Sequence, residues 1–352
     1  MDGNKKRPVY LAPSYEVFGQ DRMFDGDDQS LNRDDGMLPN IRLRRHLADK
    51  GVELHTDDYL LESGDVQQQV ADYYSFGVLR DYEKLRTAHS LNFQAFVIFE
   101  PPLVARRLYK SIPYLQRYFS SIYVHNTHGD GYSLDGVDQS KLRKFYWPQP
   151  YDDIIKKYWN NTERLQKMVV INGNHNPLLR LEFNTGELYS ARIEAMAELA
   201  RQDAVDLYGR AWDQWWHPRS MWLPYWRHYK TLMSIYRGSC SSKYEVLSRY
   251  QFCLCMENIA MDGYVTEKIF DCLYAGTIPV YWGARDIDSY IPRGAYIDAR
   301  QFTSWTEMWA AVRQVTPSQI AEMKAVGRAF FKSEAGMRHF ESLDRIFSPS
   351  VT

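Results

Sequence analysis

The stretch GYVTEKIFDCLYAGTIPVYWG, residues 263–283, decides the fold of the second half of this chain. A loop ends at Thr266, a helix pattern opens with Glu267 and Lys268, and the apolar segment IPVYW follows as a strand. A helix start presents unpaired N–H groups and a partial positive charge. A lysine in the first turn is therefore electrostatically unfavourable unless an anion binds there. The Glu267 carboxylate offers two oxygens to a vicinal diol. The pair therefore predicts a site for a nucleoside diphosphate, with an exposed capping pair as the alternative.

Segments on either side of this stretch alternate between strand and helix patterns. MVVIN (168–172), AVDLYG and YQFCLCMEN (250–258) read as strands, and residues 188–200 show helical periodicity. The first half alternates in the same way, with VYLAP, VELHT, FQAFVIFEPP and SSIYV as its strands. This pattern predicts an α/β protein with parallel sheets, and functional residues are then expected where strands end. Glu100 and the loop 126–136 meet that condition.

The length of 352 residues allows two domains. We predict an N-terminal domain over 1–160, a C-terminal domain over 161–330 and a helical tail over 331–352. An aromatic insertion at about 210–230 interrupts the second domain.

Charge and composition exclude several classes of protein. The formal net charge is −1, from 43 basic and 44 acidic residues, so there is no global basic field to hold nucleic acid or an anionic membrane. No segment has the length and apolarity of a signal peptide or a membrane span. The four cysteines match no zinc or redox spacing. We therefore expect a cytoplasmic protein whose membrane contact is at most peripheral.

A known family shares the pattern of residues 243–298. This segment comprises KYEVLSRYQFCLCMEN (243–258) and the opening stretch extended to Asp298. It resembles the donor-binding signature of the family 10 glycosyltransferases, the α1,3/1,4-fucosyltransferases. YSARIEAM (189–196) and VDLYGRA (205–211) look like the preceding helix and strand of that family. The first half matches at most through FEPP (99–102). The resemblance, to the soluble bacterial type, implies a GT-B architecture, in which two Rossmann-like domains face each other across a cleft.

The resemblance also implies a set of donor-binding residues. Lys268 and Arg192 would contact the diphosphate, and Glu267 the ribose. On the nucleoside side of the pocket it places Asn258, Tyr264 and Val265. Arg192 lies about 100° round its helix from Ile193, so it need not point into the core. A solvated helix charge is the alternative for Arg192.

Glu100 is the candidate catalytic base. Inverting sugar transfer needs a carboxylate that takes the proton from the acceptor hydroxyl. Glu100 ends a strand before two prolines, although a plain turn residue is the alternative. Glu257 is a second carboxylate, which we expect to order the donor loop. Because cationic side chains and a helix start can stabilise the departing diphosphate, we expect that no metal or other cofactor is required.

Three further features have competing interpretations. YGRAWDQWWHPRSMWLPYWRHYK (208–230) is rich in tryptophan, and Trp215 and Trp216 could stack on acceptor sugars or rest on a membrane interface, while packing as an added subdomain is the plainer interpretation. His125 and His128 in HNTHGDG could ligate a metal, but we favour an acceptor-side loop. Asp286 and Asp288 are expected to form a turn.

These interpretations converge on an inverting fucosyltransferase that transfers L-fucose from GDP-fucose to an oligosaccharide or glycoconjugate, with α1,3 linkage to a GlcNAc- or glucose-type sugar. Two alternatives keep the fold: transfer from another GDP-deoxyhexose, and an exostosin-like transfer from a UDP-sugar. An alternative of a different class is a non-catalytic glycan-binding protein.

Overall fold

A computed structural model describes residues 8–62, 70–174, 186–214 and 223–351 of the chain. The chain forms two compact units, residues 1–150 with 338–352, and residues 151–337. Each unit is built on one sheet in which all the paired strands run parallel. The predicted α/β class with two Rossmann-like units is confirmed.

The first unit contains a six-stranded sheet in the order β2-β1-β3-β4-β5-β6. Its strands are β1 (Val9–Ala12), β2 (Leu54–Thr56), β3 (Ala71–Ser75), β4 (Leu91–Val97), β5 (Ser121–Val124) and β6 (Leu142–Lys144). Its helices are α1 (Leu38–Asp49), α2 (Asp58–Glu62), α3 (Tyr82–Ala88), α4 (Pro102–Lys110), α5 (Ile112–Leu115) and the C-terminal α14 (Ser342–Phe347). Two apolar clusters include alternate residues of these strands, such as Tyr73 in one and Tyr74 in the other, and so form the core on the two faces of the sheet.

The second unit contains a five-stranded sheet in the order β11-β10-β9-β7-β8. Its strands are β7 (Leu165–Ile171), β8 (Val205–Tyr208), β9 (Tyr250–Met256), β10 (Ile278–Trp282) and β11 (Ile297–Asp298). Its helices are α6 (Lys156–Trp159), α7 (Tyr189–Ala200), α8 (Leu223–Ile235), α9 (Lys243–Ser248), α10 (Glu267–Ala275), α11 (Trp305–Val312) and α12 (Pro317–Phe331). The chain passes back to the first unit within α13 (Glu334–Phe340).

The units divide between residues 150 and 151 rather than near residue 160. Contacts of Tyr151 account for the position of the division, because they attach this residue to the second unit. The ring centroids of Tyr151 and Tyr274 are 5.4 Å apart, and the Tyr151 carbonyl accepts a hydrogen bond from the Tyr274 hydroxyl. The last residues belong to the first unit, since the ring of Phe347 stacks on Tyr74 at 3.9 Å. The segment 331–352 is therefore shared between the two units.

The helices and strands around the opening stretch lie where the sequence predicts them. Helix α7 begins at Tyr189, and α10 begins at Glu267 with Thr266 at its N-cap. A capping box of Thr316 and Gln319 opens α12. Within the described residues, no helix has both the length and the apolar character needed to cross a membrane.

Candidate functional site

The buried carboxylate of Glu257 fixes the start of helix α10. Glu257 follows strand β9 and is fully buried. Its Oε1 accepts a hydrogen bond from the backbone N–H of Thr266 at 2.8 Å, and its Oε2 accepts one from the Thr266 hydroxyl at 2.8 Å. Lys268 Nζ lies 3.1 Å from the same Oε2. Glu257 therefore orders the donor loop, as the sequence predicts.

This arrangement leaves the N-terminus of α10 without a side-chain cap. Thr266 occupies the N-cap position in an extended conformation, but its hydroxyl is directed to Glu257 and caps no N–H of the helix. By contrast, Ser242, Ser304 and Thr316 each accept an N–H of the helix that they cap. The N–H of Glu267 interacts with its own carboxylate, whereas Thr266 leaves the next first-turn N–H groups, those of Lys268 and Ile269, to an acceptor from outside the helix. An anion suits that position.

Lys268 supplies a positive charge beside this helix start. Its Nζ lies 2.9 Å from the Thr266 hydroxyl and 3.4 Å from Glu267 Oε1, and its side chain is 22% exposed. Burial alone would lower the pKa of Lys268, but the carboxylates of Glu257 and Glu267 outweigh it and raise that pKa. Lys268 therefore stays charged at neutral pH.

Glu267 is held ionised at the surface of the same site. Its side chain is 36% exposed. Burial of part of the group favours the neutral acid, but the charges of Lys268 and Lys243 lower the pKa of Glu267 overall. An ionised carboxylate with this exposure can accept hydrogen bonds from a diol outside the protein.

Arg192 is buried against the end of strand β9 rather than solvated on the surface of α7. It is 3% exposed, and its Nη2 donates to the carbonyls of Met256 at 2.8 Å and Glu257 at 2.7 Å. Asn258 Oδ1 lies 3.5 Å from the same nitrogen. Burial lowers the pKa of Arg192, against the attraction of Tyr189 and Glu257. The alternative of a solvated helix charge is wrong, because the carbonyls at the strand end hold the guanidinium.

Two predicted nucleoside-side residues, Tyr264 and Val265, are almost completely buried, at 1% and 2% exposure. Their loop is fixed from outside, since Asp286 Oδ1 accepts the N–H of Gly263 at 2.8 Å. Asp288 pairs with the hydroxyl of Tyr296 and with Arg293. Both aspartates thus serve local structure, as expected.

Gly283 is a site residue that sequence reasoning missed. A Cβ added at this position would lie 2.3 Å from the Tyr281 hydroxyl oxygen and 2.5 Å from Glu257 Cγ. The carbonyl of the preceding residue, Trp282, accepts the N–H of Glu257 at 2.9 Å. The close approach of strand β10 to Glu257 therefore requires glycine here. The available signal was the position of Gly283 directly after the strand.

Glu100 lies in the wall of a pocket that belongs to the first unit. The pocket has a volume of about 340 Å³ and lies where strands β1, β3, β4 and β6 end. Its lining residues are Ser14, Tyr15, Phe18, Met23, Gly36, Met37, Pro39, Asn40, Phe76, Gly77, Phe99, Glu100, Ala105, Leu108, Trp147, Pro148 and Leu343. Glu100 therefore lies on a concave surface at the end of a strand, which is where the sequence places it.

Sequence reasoning also missed two neighbours of Glu100. Trp147 lines the same pocket, and Tyr109 of α4 is buried with a hydroxyl that has no hydrogen-bond partner within the described ranges. Burial, Tyr132 and Glu100 all raise the pKa of Tyr109, so the hydroxyl stays protonated. Neither residue adjoins Glu100 in sequence, and only the fold brings them near it.

The candidate acceptor-side residues have different positions. His125 is 1% exposed, its Nε2 lies 2.7 Å from the Phe99 carbonyl, and its ring is nearly parallel to that of Trp147 at 6.4 Å. Burial lowers the pKa of His125 to about 3, so the ring is neutral. His125 thus lies behind the pocket wall, and a direct contact with an acceptor is wrong for this structure. His128 is exposed.

Trp215 and Trp216 lie outside the described residues. Within the described part of the aromatic insertion, Trp212 and Tyr225 are buried, and the Tyr225 hydroxyl donates to the Trp212 carbonyl at 2.6 Å. These two residues support the interpretation of the insertion as a packed subdomain. The structure shows no cluster of three or more metal-ligating side chains among the residues it describes.

Comparison with known proteins gives a family match within the second half of the chain. Residues 183–324 match the model for the C-terminal part of glycosyltransferase family 10 (fucosyltransferase). An alpha-(1,4)-fucosyltransferase of Arabidopsis thaliana is 34% identical over 102 residues, which cover 28% of this chain and 25% of that protein. The alpha-(1,3)-fucosyltransferase FucT of Helicobacter pylori is 39% identical over 66 residues, which cover 19% and 14%. The matched segments thus span a quarter or less of these relatives.

Solved structures share the fold of the whole chain. A crystal structure of an alpha1,3-fucosyltransferase has a TM-score of 0.50 at 13% identity and covers 100% of this chain and 91% of its own. The structure of Anabaena HepE in complex with UDP has a TM-score of 0.53 at 11% identity and covers 97% and 100%. The fold class is therefore GT-B, with two Rossmann-like domains. That the domains face across a cleft stays a prediction.

Asp271, one turn into α10, gives this region a measurable pH dependence. Burial raises the pKa of Asp271 to about 6, against the opposing charge of Lys243, whose Nζ lies 2.7 Å away. Because the folded protein holds this proton more tightly than the unfolded chain, the free energy of unfolding should fall as pH rises from roughly 4 to 6. We expect Asp271→Asn to remove this decrease, of up to about 3 kcal/mol, in urea unfolding at a series of pH values.

The slope of stability against pH is the readout, because loss of the contact between Asp271 and Lys243 changes the absolute stability of the variant. Asp288→Asn changes a half-exposed carboxylate in the same unit and should keep the slope of the wild type. An identical slope in Asp271→Asn and the wild type would contradict the assignment.

Proposed function

We propose that this chain, whose residues 183–324 match the model of glycosyltransferase family 10, is an inverting fucosyltransferase that uses GDP-fucose. The acceptor is a hydroxyl group of an oligosaccharide or glycoconjugate, with α1,3 linkage to a GlcNAc- or glucose-type sugar. The observation that carries the proposal is the uncapped N-terminus of α10 with Lys268 beside it. Cys253, Cys255 and Cys272 are buried cysteines that belong to no disulfide among the described residues, which supports a reducing compartment such as the cytoplasm.

In the donor half of the reaction, the diphosphate accepts hydrogen bonds from the first-turn N–H groups of α10 and from Lys268 Nζ. Arg192 lies at the same strand end and adds a second positive charge. Glu267 Oε1 lies 3.4 Å from Lys268 Nζ, a long contact that the carboxylate can give up for the two ribose hydroxyls. Asn258 follows strand β9 and contacts the nucleoside, while the buried residues Tyr264 and Val265 support the nucleoside side of the pocket.

In the acceptor half, Glu100 takes the proton from the acceptor hydroxyl as its oxygen bonds to the anomeric carbon. The bond from that carbon to the diphosphate oxygen breaks on the opposite side, and its electron pair leaves with GDP. The developing charge on GDP is stabilised by the α10 N–H groups, Lys268 and Arg192, so the chemistry needs no metal ion.

Nucleotide binding and transfer test this proposal together. Thermal unfolding with GDP, UDP and ADP compares the bases, since a ligand of the folded state raises the melting temperature. We expect the largest shift with GDP, and transfer of labelled fucose to an acceptor array that persists in EDTA. A largest shift with UDP would instead indicate a UDP-sugar transferase. GDP binding without transfer to any acceptor would indicate a binding protein.

Lys268→Ala should weaken GDP binding by roughly 10- to 100-fold, the size of a charge-assisted hydrogen bond, and leave guanosine binding unchanged. Titration calorimetry with both ligands measures the ratio. Guanosine is the internal control for any folding defect, which matters because Lys268 is a partner of the buried Glu257. Lys324→Ala removes a cation of the same unit that donates to the Trp159 carbonyl and should change neither affinity. Unchanged GDP affinity in Lys268→Ala would contradict the proposal and indicate that Glu267 and Lys268 only cap the helix.

Glu100→Gln should separate binding from chemistry. The amide keeps the size of the carboxylate but cannot accept the proton, so turnover should fall by roughly 10²- to 10⁴-fold while GDP-fucose affinity stays near normal. Steady-state transfer rates and calorimetry measure the two quantities. Glu83→Gln in the same unit, whose carboxylate accepts the Tyr118 hydroxyl, is the matched control. Turnover within a few-fold of the wild type would assign the base to another residue.

A further inference from the structure

The pocket that contains Glu100 is apolar, which is unusual for a surface meant to hold a free sugar. Most of its seventeen lining residues are aliphatic, aromatic, proline or glycine, including Phe18, Met37, Leu108 and Trp147. A pyranose presents hydroxyl groups around its ring, and each hydroxyl that leaves water without a partner costs free energy. The wall thus fits a ligand that buries hydrocarbon.

Charge narrows the class of ligand further. Among the described residues that line the pocket there is no arginine, lysine or histidine, and Glu100 is the single carboxylic acid. A phosphate or sulfate group buried against this wall would therefore meet a carboxylate and no cationic side chain of the described lining. The occupant is therefore uncharged on the surface it buries.

The rim of the pocket extends the apolar surface to solvent. Tyr15 lines the pocket and is 62% exposed. A large exposed aromatic side chain in the lining of an apolar pocket is typical of a binding surface.

Resting on the proposed transfer reaction, we infer that this pocket binds the apolar aglycone of the acceptor, so that the acceptor is a glycoside with a hydrocarbon group next to the reacting sugar. The volume of about 340 Å³ lies within the range of small-molecule sites. Glu100 in the wall meets the sugar where the aglycone ends, and the hydroxyl groups of the sugar remain in water or on the donor side. An alkyl chain and an aryl group both satisfy this chemistry.

Alkyl glycosides test the inference without any nucleotide sugar. Calorimetry with the methyl, hexyl and octyl β-glycosides of N-acetylglucosamine, below their micelle concentrations, compares chain length at constant sugar. Each methylene that enters the pocket should tighten binding by up to ~4-fold, so octyl should bind at least about tenfold more tightly than methyl. The phenyl glycoside shows whether an aromatic aglycone serves equally well. Equal dissociation constants for methyl and octyl would overturn the inference.

Two variants locate the binding. Met37→Gln keeps the size of a partly exposed wall residue but makes it polar, and Ala105→Leu fills part of the pocket while keeping it apolar. Both should reduce the octyl-to-methyl ratio several-fold, and the second variant decides the matter if the first fails to fold. Leu165→Gln, at a 53% exposed apolar residue of the other unit, should keep the ratio of the wild type. A ratio that survives both pocket variants would place the aglycone elsewhere.

Transfer assays separate this inference from the proposed function. If chain length governs affinity but no fucose is transferred, the aglycone site stands and the proposed function fails. If fucose is transferred with the same KM to methyl and octyl acceptors, the function stands and the aglycone site is wrong. A lower KM for octyl at similar kcat supports both.

Discussion

The candidate donor site depends on one buried carboxylate. Glu257 has no exposed surface, and a polar group in that position is tolerated only when its oxygens have hydrogen-bond partners. The backbone N–H and hydroxyl of Thr266, with Lys268, supply the partners. Because the threonine is used in this way, it does not cap its own helix, and the helix start remains open to an anion. A structural requirement of the core thus creates the candidate binding surface.

The same constraint limits which residues can occupy the neighbouring positions. Gly283 must lack a side chain, since a Cβ would lie 2.5 Å from Glu257 Cγ. Arg192 donates hydrogen bonds to the two carbonyls at the end of strand β9, those of Met256 and Glu257. The charges of the site are thereby placed by backbone and buried groups rather than by mobile side chains on the surface, which favours preorganised stabilisation of a leaving diphosphate.

The sequence predicted the secondary structure of the candidate donor region well because its residues are nearly contiguous. Strand β9, the loop and helix α10 lie within residues 250–275, so periodicity and helix-start chemistry describe them directly. Strand β3 in the middle of the first sheet was not predicted, because it is short and carries Asp72, a polar residue in a buried strand. Asn92 and Gln94 donate to Asp72 from the adjacent strand, and no local pattern reveals that pairing. The burial of His125 and the apolar pocket around Glu100 likewise depend on residues distant in sequence.

Hydrogen–deuterium exchange of the backbone N–H groups of Glu267, Lys268 and Ile269 tests the central claim most directly. These are the N–H groups of the first turn, which the Thr266 hydroxyl does not cap. If a diphosphate binds at this helix start, saturating GDP should slow their exchange well beyond the effect of saturating guanosine, which lacks the phosphates. Equal exchange at these three residues with GDP and with guanosine would contradict the account.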